Sequence, residues 1–167
     1  MDDRLFRSAM GKFATGVTVL TTKVDGIVHG MTANAFMSVS LNPKLVMVSV
    51  GEKARMLEKI QQSQSFVINI LSEEQEAISR LFAGQTGEKR EMEFNWVDDR
   101  PLIKGAIASI ICDVYSAQVA GDHTVFIGEV KELLLNEGKP LVFFGGKYGK
   151  YQEDIQRIRK RFKAEEI

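Results

Sequence analysis

The chain is poor in the residues that build disulfides, metal centres and strongly charged surfaces. It has one cysteine, Cys112, and two histidines among its 167 residues. One cysteine excludes an internal disulfide and a zinc–cysteine cluster, and two histidines argue against a histidine-rich metal site, so we expect no metal. Lys plus Arg and Asp plus Glu both number 22, so no net charge attracts nucleic acid or an anionic membrane.

Long apolar runs are missing as well. No segment approaches the roughly 18 apolar residues that a membrane span needs. Residues 1–10 mix acidic and basic side chains and lack the apolar core of a secretory signal. These absences predict a cytoplasmic protein that has neither a membrane nor a nucleic-acid partner.

The familiar motifs of catalysis are also absent. The sequence contains no G-x-S-x-G elbow, no P-loop and no dinucleotide-binding glycine fingerprint. Only His29 and His123 offer imidazoles for chemistry near neutral pH. If the chain is an enzyme, we expect a cofactor to supply the reactivity and the protein to supply position.

Hydrophobic periodicity predicts one mainly β domain with helices, since the length suits a single core. The predicted helices are 2–13, 53–62, a segment that starts at a Ser72-to-Gln75 capping box and stops at Gly84, and 151–167, in which Ile155, Ile158 and Phe162 share one stripe. The predicted strands are 17–24, 27–41, 45–50, 65–71, 106–119, 125–135 and 140–144, with turns at 25–26 and 42–43, a long polar connection over 84–100 and a loop at 145–148. Strands that follow one another without crossover helices predict a closed or nearly closed antiparallel barrel.

Small polar side chains are unusually dense in residues 30–51. Thr32, Asn34, Ser38, Ser40 and Ser49 stand where a strand that only needed a core would carry Val or Ile. Short side chains let a flat ligand approach the backbone, and their hydroxyls and amides can hold its carbonyls and phosphates. The alternative is an edge strand with solvated polar residues.

Three other segments are candidates for binding. In residues 49–55, backbone amides at a helix start, with Lys53 and Arg55, could bind a phosphate, although an ordinary solvated helix start is the better fit to this segment alone. Residues 121–124 place His123 beside a tight turn, or form a plain hairpin turn. In residues 144–149, Tyr148 could stack on a planar ring or pack across a turn. Cys112 lies in an apolar run and is expected to be a small buried hydrophobe.

Taken together, these motifs resemble one family. The ordered set FATGV, HGMTANAF-x-SVSLNP, GDH-x-x-x-x-G-x-V and FF-x-GKY is similar to short-chain flavin reductases, such as the reductase components of phenol and 4-hydroxyphenylacetate monooxygenases. The resemblance covers nearly the whole chain. It implies a single flavin reductase-like domain over 1–167, folded as an antiparallel, Greek-key-like, FMN-binding split β-barrel that usually forms a homodimer.

The same resemblance implies an activity: oxidation of NADH or NADPH coupled to reduction of FAD or FMN, after which the reduced flavin leaves for a separate oxygenase. Residues 85–96 depart from the family pattern near the adenine end of FAD, so the choice between FAD and FMN stays open. One alternative is a carrier of the same fold that holds FMN tightly and releases no flavin. Another is an oxidase of the pyridoxamine-phosphate type, against which the GDH and GKY segments argue.

The resemblance also implies site residues. Flavin contacts are expected from Met31, Thr32, Ala33, Asn34, Ala35, Ser38, Ser49, Val50 and Gly51, phosphate contacts from Lys53 and Ala54, and contacts near the far end of the flavin from Phe82, Ala83 and Gly84. His123 is expected beside the nicotinamide as the catalytic residue. Gly146, Lys147 and Tyr148 are expected to contact the pyridine nucleotide.

Overall fold

The computed structural model describes residues 1–86 and 92–153. Its helices are α1 (Asp3–Met10), α2 (Arg55–Ser63) and α3 (Glu76–Phe82). Its strands are β1 (Thr15–Gly16), β2 (Thr18–Val24), β3 (Ile27–Ala33), β4 (Phe36–Leu41), β5 (Lys44–Gly51), β6 (Ser65–Ile70), β7 (Phe94–Val97), β8 (Arg100–Ile103), β9 (Ala108–Ala120), β10 (His123–Leu135), β11 (Leu141–Phe144) and β12 (Lys147–Lys150). In these described ranges, every helix is too short or too polar to cross a membrane.

An antiparallel sheet of seven strands dominates the molecule, in the order β3-β2-β6-β9-β10-β5-β4. A smaller sheet has the order β1-β11-β12, and β7 pairs with β8 as a hairpin. The prediction of a mainly antiparallel β protein with few helices is therefore confirmed.

The large sheet is strongly curved. Strands β3 and β4 lie at its opposite edges, yet only Asn34 and Ala35 separate them in the chain. Three virtual bonds span at most about 11 Å, so the two edges must approach each other at this end. The Ser49 amide donates to the Ala35 carbonyl over 3.1 Å, which continues the β4–β5 pairing into the linker.

Apolar residues fill both faces of the sheet. On one face, Leu20, Phe66 and Phe126 are almost fully buried, and α2 adds Met56 and Ile60, four residues apart on one helical face. On the other, Val19, Leu71 and Leu141 form a second cluster. Phe82 of α3 and Tyr148 of β12 pack against this second cluster, so α3 and the small sheet cover that side.

Cys112 belongs to the first cluster and is fully buried, as predicted. Burial and the neighbouring Asp113 carboxylate raise the pKa of its thiol to about 12. The thiol therefore stays protonated and acts as a small apolar side chain.

Several boundaries differ from the sequence prediction. Helix α1 ends at Met10, and the predicted strand 27–41 is broken into β3 and β4. Ser72 does not cap α3: Gln75 is the N-cap, although its side chain does accept from the Ser72 amide over 3.0 Å. The predicted loop 145–148 is a two-glycine turn followed by β12, because Gly145 and Gly146 both adopt positive φ. The predicted C-terminal helix lies outside the described residues from 154 onward.

The prediction of an irregular connection over 84–100 is wrong in its second half, which forms β7 and the start of β8. Residues 87–91 lie outside the described part. The hairpin is fastened to the large sheet by fully buried Asn69, whose side-chain oxygen accepts from the Ile103 amide over 2.9 Å. Thr21 adds a hydrogen bond to the Pro101 carbonyl. These contacts join residues distant in sequence, so local periodicity did not reveal them.

Candidate functional site

The site begins with the pairing of β5 and β10. In this register His123 lies opposite Gly51, and Val125 lies opposite Ser49. The Glu52 amide continues the ladder by donating to the Asp122 carbonyl over 2.9 Å. Two of the candidate segments, 49–55 and 121–124, are thereby brought side by side at one end of the sheet.

His123 is held in a defined orientation. Its Nδ1 lies 2.8 Å from Oδ1 of Asp122. The hydrogen bond from His123, followed by its charge interaction, lowers the pKa of Asp122 from its usual value. An ionised carboxylate can only accept, so Nδ1 donates and Nε2 is left to face other groups. A Cβ on Gly51 would lie 3.5 Å from Nε2, so the imidazole rests along a strand end that carries no side chain.

A cleft of about 820 Å³ opens in front of this histidine. Five of the predicted site residues line it: Asn34, Ala35, Ser49, His123 and Gly146. Ligand clefts commonly measure 300–1,000 Å³, so this volume is ample for a planar heterocycle.

Helix α1 and the turn that follows it supply an apolar wall of this cleft that the sequence analysis did not assign to the site. Phe6, Met10 and Phe13 line the cleft and are more than half exposed. The signal was present in the one-sided pattern of α1, but such a pattern normally marks core packing. Here α1 has no buried residue.

A second hollow, of about 190 Å³, adjoins the cleft through Asn34 and Phe143, which line both. It brings together Thr32, Ala33, Ala83 and Tyr148, which are predicted site residues from three separate segments. A third hollow beside it includes Lys147 and Tyr148. The structure thus brings these segments together, and their role in binding stays a prediction.

Thr32 lines the second hollow, but its hydroxyl proton is already donated to another group of the protein. Its Oγ1 donates to the Ser79 carbonyl over 2.6 Å, which ties β3 to α3. The Thr32 hydroxyl can therefore accept a hydrogen bond from a ligand but cannot donate one without breaking this link.

The remaining predicted residues lie outside the lining of these three hollows. Three of them belong to the apolar interior: Met31 and Ala54 pack against the first apolar cluster, and Phe82 packs against the second. Val50 is fully buried, whereas Ser38 and Lys53 are exposed. Gly84 follows α3 and has a positive φ. The side chain of Val50 cannot touch a ligand in this arrangement.

At the start of α2, only some of the backbone amides are available to the expected phosphate. The Glu52 and Ala54 amides already donate to the Asp122 and Gly51 carbonyls. Ala54, the N-cap, makes no side-chain capping bond, so the first amides of α2 lack a side-chain partner. The amides of Arg55 and Met56, with the exposed side chains of Lys53 and Arg55, are the groups that could meet an anion.

The geometry defines a class: a curved antiparallel β protein whose binding cleft is lined by small polar groups, aromatic rings and one oriented histidine. Comparison with known proteins then specifies it. The family model described as "Flavin reductase like domain" matches residues 10–152. The chain belongs to this family, which confirms the resemblance seen in the motifs.

Curated relatives and solved structures agree. An NADH-dependent flavin reductase of Rhodococcus sp. is 44% identical over 145 residues, covering 85% of this chain and 82% of the relative. The reductase component of 4-hydroxyphenylacetate 3-monooxygenase from Thermus thermophilus is 39% identical, covering 83% of this chain and 90% of the relative. The structure of the flavin reductase PheA2 superposes with a TM-score of 0.90 at 59% identity, covering 92% of this chain and 100% of PheA2.

One glycine of the HGMTANAF motif sets the distance between β3 and α3. A Cβ on Gly30 would lie 2.5 Å from the Phe82 ring. We expect Gly30→Ala to displace Phe82 and Ala83, to cost about 1–3 kcal/mol of stability, and to weaken flavin binding. Thermal unfolding and quenching of flavin fluorescence measure the two effects.

Gly16→Ala is the matched control, because a Cβ there meets no atom within 4 Å. An unchanged melting temperature and an unchanged flavin affinity in Gly30→Ala would contradict this account of the motif.

Proposed function

We propose that this chain is an NADH-dependent flavin reductase that supplies reduced flavin to a separate monooxygenase component. The single observation that carries the proposal is the 820 Å³ cleft in which Asn34, Ala35, Ser49 and His123 converge. The named relatives support the reaction, and the reductase components among them support the separate oxygenase.

The residues present fit a flavin. The cleft and its neighbouring hollow are walled by small side chains on one side and by Phe6, Phe13 and Phe143 on another, which suits a flat aromatic ring system. A solved relative, SgcE6 from Streptomyces globisporus, was determined with NAD and FAD fragments; it is 34% identical, with a TM-score of 0.85, and the match covers 91% of this chain and 94% of that one.

The chain's own contribution is position and exclusion of water. When bound, NADH supplies a hydride and the flavin accepts it together with a proton from solvent. We propose that His123 orients the nicotinamide, with Asp122 fixing the imidazole through Nδ1. Phe6, Met10 and Phe13 screen the stacked rings from water, which strengthens the interactions inside the cleft.

We further propose that the curved sheet forms the split barrel expected from the resemblance, with 1–167 as one domain. A cytoplasmic location is also proposed, since NADH is available there and the one cysteine is a free thiol.

The activity is tested by initial rates of NADH or NADPH oxidation, each crossed with FMN, FAD and riboflavin. We expect sustained turnover that saturates with added free flavin, and faster oxidation of NADH than of NADPH. A single stoichiometric reduction without turnover would instead identify the tightly bound electron carrier and contradict the reductase.

His123→Ala tests the proposed role of the histidine. We expect kcat/KM for NADH to fall about tenfold, the effect of losing one orienting hydrogen bond. Flavin affinity, measured by fluorescence quenching, should stay within twofold.

His29→Ala is the matched control for this variant. His29 lies on β3 opposite Thr22, outside the lining of the cleft and its two neighbouring hollows. Equal activity of His123→Ala and His29→Ala would remove His123 from the site.

We also propose a homodimer. Leu5 on α1 and Met37, Val39, Leu41 and Val119 on the sheet are large apolar side chains that are at least 46% exposed. Met37, Val39 and Leu41 recur at every second position of the edge strand β4, and a row of exposed apolar side chains at a sheet edge often marks an interface. Light scattering should give twice the chain mass of 18.7 kDa, and a monomeric mass at micromolar concentration would contradict the dimer.

A further inference from the structure

One buried residue that the sequence analysis did not select forms hydrogen bonds with three of the residues that line the second hollow. Ser79, on α3, is fully buried. Its carbonyl accepts from Thr32 Oγ1 over 2.6 Å and from the Ala83 amide over 2.9 Å. Its hydroxyl lies 2.8 Å from the Tyr148 hydroxyl. Thr32, Ala83 and Tyr148 all line the 190 Å³ hollow.

The carbonyl and the hydroxyl of Ser79 act on different parts of the site. The carbonyl holds β3 and the end of α3, which are expected on the flavin side. The hydroxyl holds β12, which is expected on the side of the pyridine nucleotide. Removing the hydroxyl alone therefore affects Tyr148 and leaves the bonds to Thr32 and Ala83 intact.

The hydrogen bond between the Ser79 and Tyr148 hydroxyls helps to set the orientation of the Tyr148 side chain. Phe143 packs against its ring edge-to-face at 5.4 Å, and the Arg80 guanidinium lies 4.8 Å from the ring centre. These two contacts hold the faces and edge of the ring, and the hydrogen bond to Ser79 adds a third fixed point at the hydroxyl end of the side chain. The Ser79 hydroxyl fixes the tip of the side chain, so the phenol group is directed toward α3 and the ring borders the hollow.

We propose that Ser79 is a positioning residue for NADH, acting through the hydroxyl of Tyr148. This inference rests on the proposed reductase function and adds a residue that does not itself touch the substrate. Because Ser79 forms hydrogen bonds with both β3 and β12, the two halves of the binding region share this support.

Ser79→Ala tests the proposal in steady-state assays of the full-length protein. Loss of one neutral hydrogen bond should raise KM for NADH roughly threefold to tenfold. The KM for flavin and kcat should stay within twofold. Tyr148→Phe removes the same bond from the other side, and the double variant should match either single variant, since both delete one interaction.

Ser109→Ala is the matched control, because Ser109 is also buried and also makes one side-chain hydrogen bond, to Asn69 over 3.0 Å. It should lower the melting temperature without changing KM for NADH. If Ser79→Ala changes only the melting temperature, or raises both KM values equally, Ser79 is merely structural and the proposal fails.

Two further outcomes are decisive. If Ser79→Ala does not fold, Tyr148→Phe alone decides: a raised KM for NADH supports the proposal and an unchanged one overturns it. If the unmodified protein oxidises no NADH with any flavin, the reductase function fails; normal turnover with an unaffected Ser79→Ala overturns only the role of Ser79.

Discussion

The register between β5 and β10 is the constraint on which the site depends. Val46, Val48 and Val50 are buried on one face of β5, and Phe126 pairs with Val48 from β10. Because successive side chains alternate between faces, burial of these residues directs Ser49 toward the opposite side, where His123 and the cleft lie. A slip of one residue would bury the site and expose the core, so the same packing that stabilises the sheet also assembles the cleft.

The glycine of the GDH-x-x-x-x-G-x-V motif protects this register from within the core. A Cβ on Gly128 would lie 2.6 Å from the Phe66 ring and 2.9 Å from Cβ of Cys112. Any larger residue would push β10 away from β6 and β9, and the histidine at its start would move with it. The motif thus places a core requirement at Gly128 and the proposed binding role of His123 on one strand.

Local patterns predicted most of the sheet, while contacts between distant segments decided the rest. The β-branched and apolar runs at β2, β5 and β6 and the turns at 25–26 and 42–43 could be predicted because each depends on neighbouring residues. The β7–β8 hairpin was not, since Asn69 fastens it from far along the chain. Ser79 gave no signal either, because a serine inside a helix normally faces water, and its two partners are known only once the chain is folded.

The linker between β3 and β4 shows how a chain with few reactive groups can still hold a polar ligand. The carbonyls of Ala33, Asn34 and Ala35 accept from Thr18 Oγ1, the Phe36 amide and the Ser49 amide. The backbone is therefore held by hydrogen bonds where it leaves the sheet. Asn34 and Ala35 line the cleft and are exposed, so their polar groups are within reach of a ligand. In the proposed reductase, the Asn34 amide group would donate to the carbonyls of the isoalloxazine from a backbone that these hydrogen bonds hold in place.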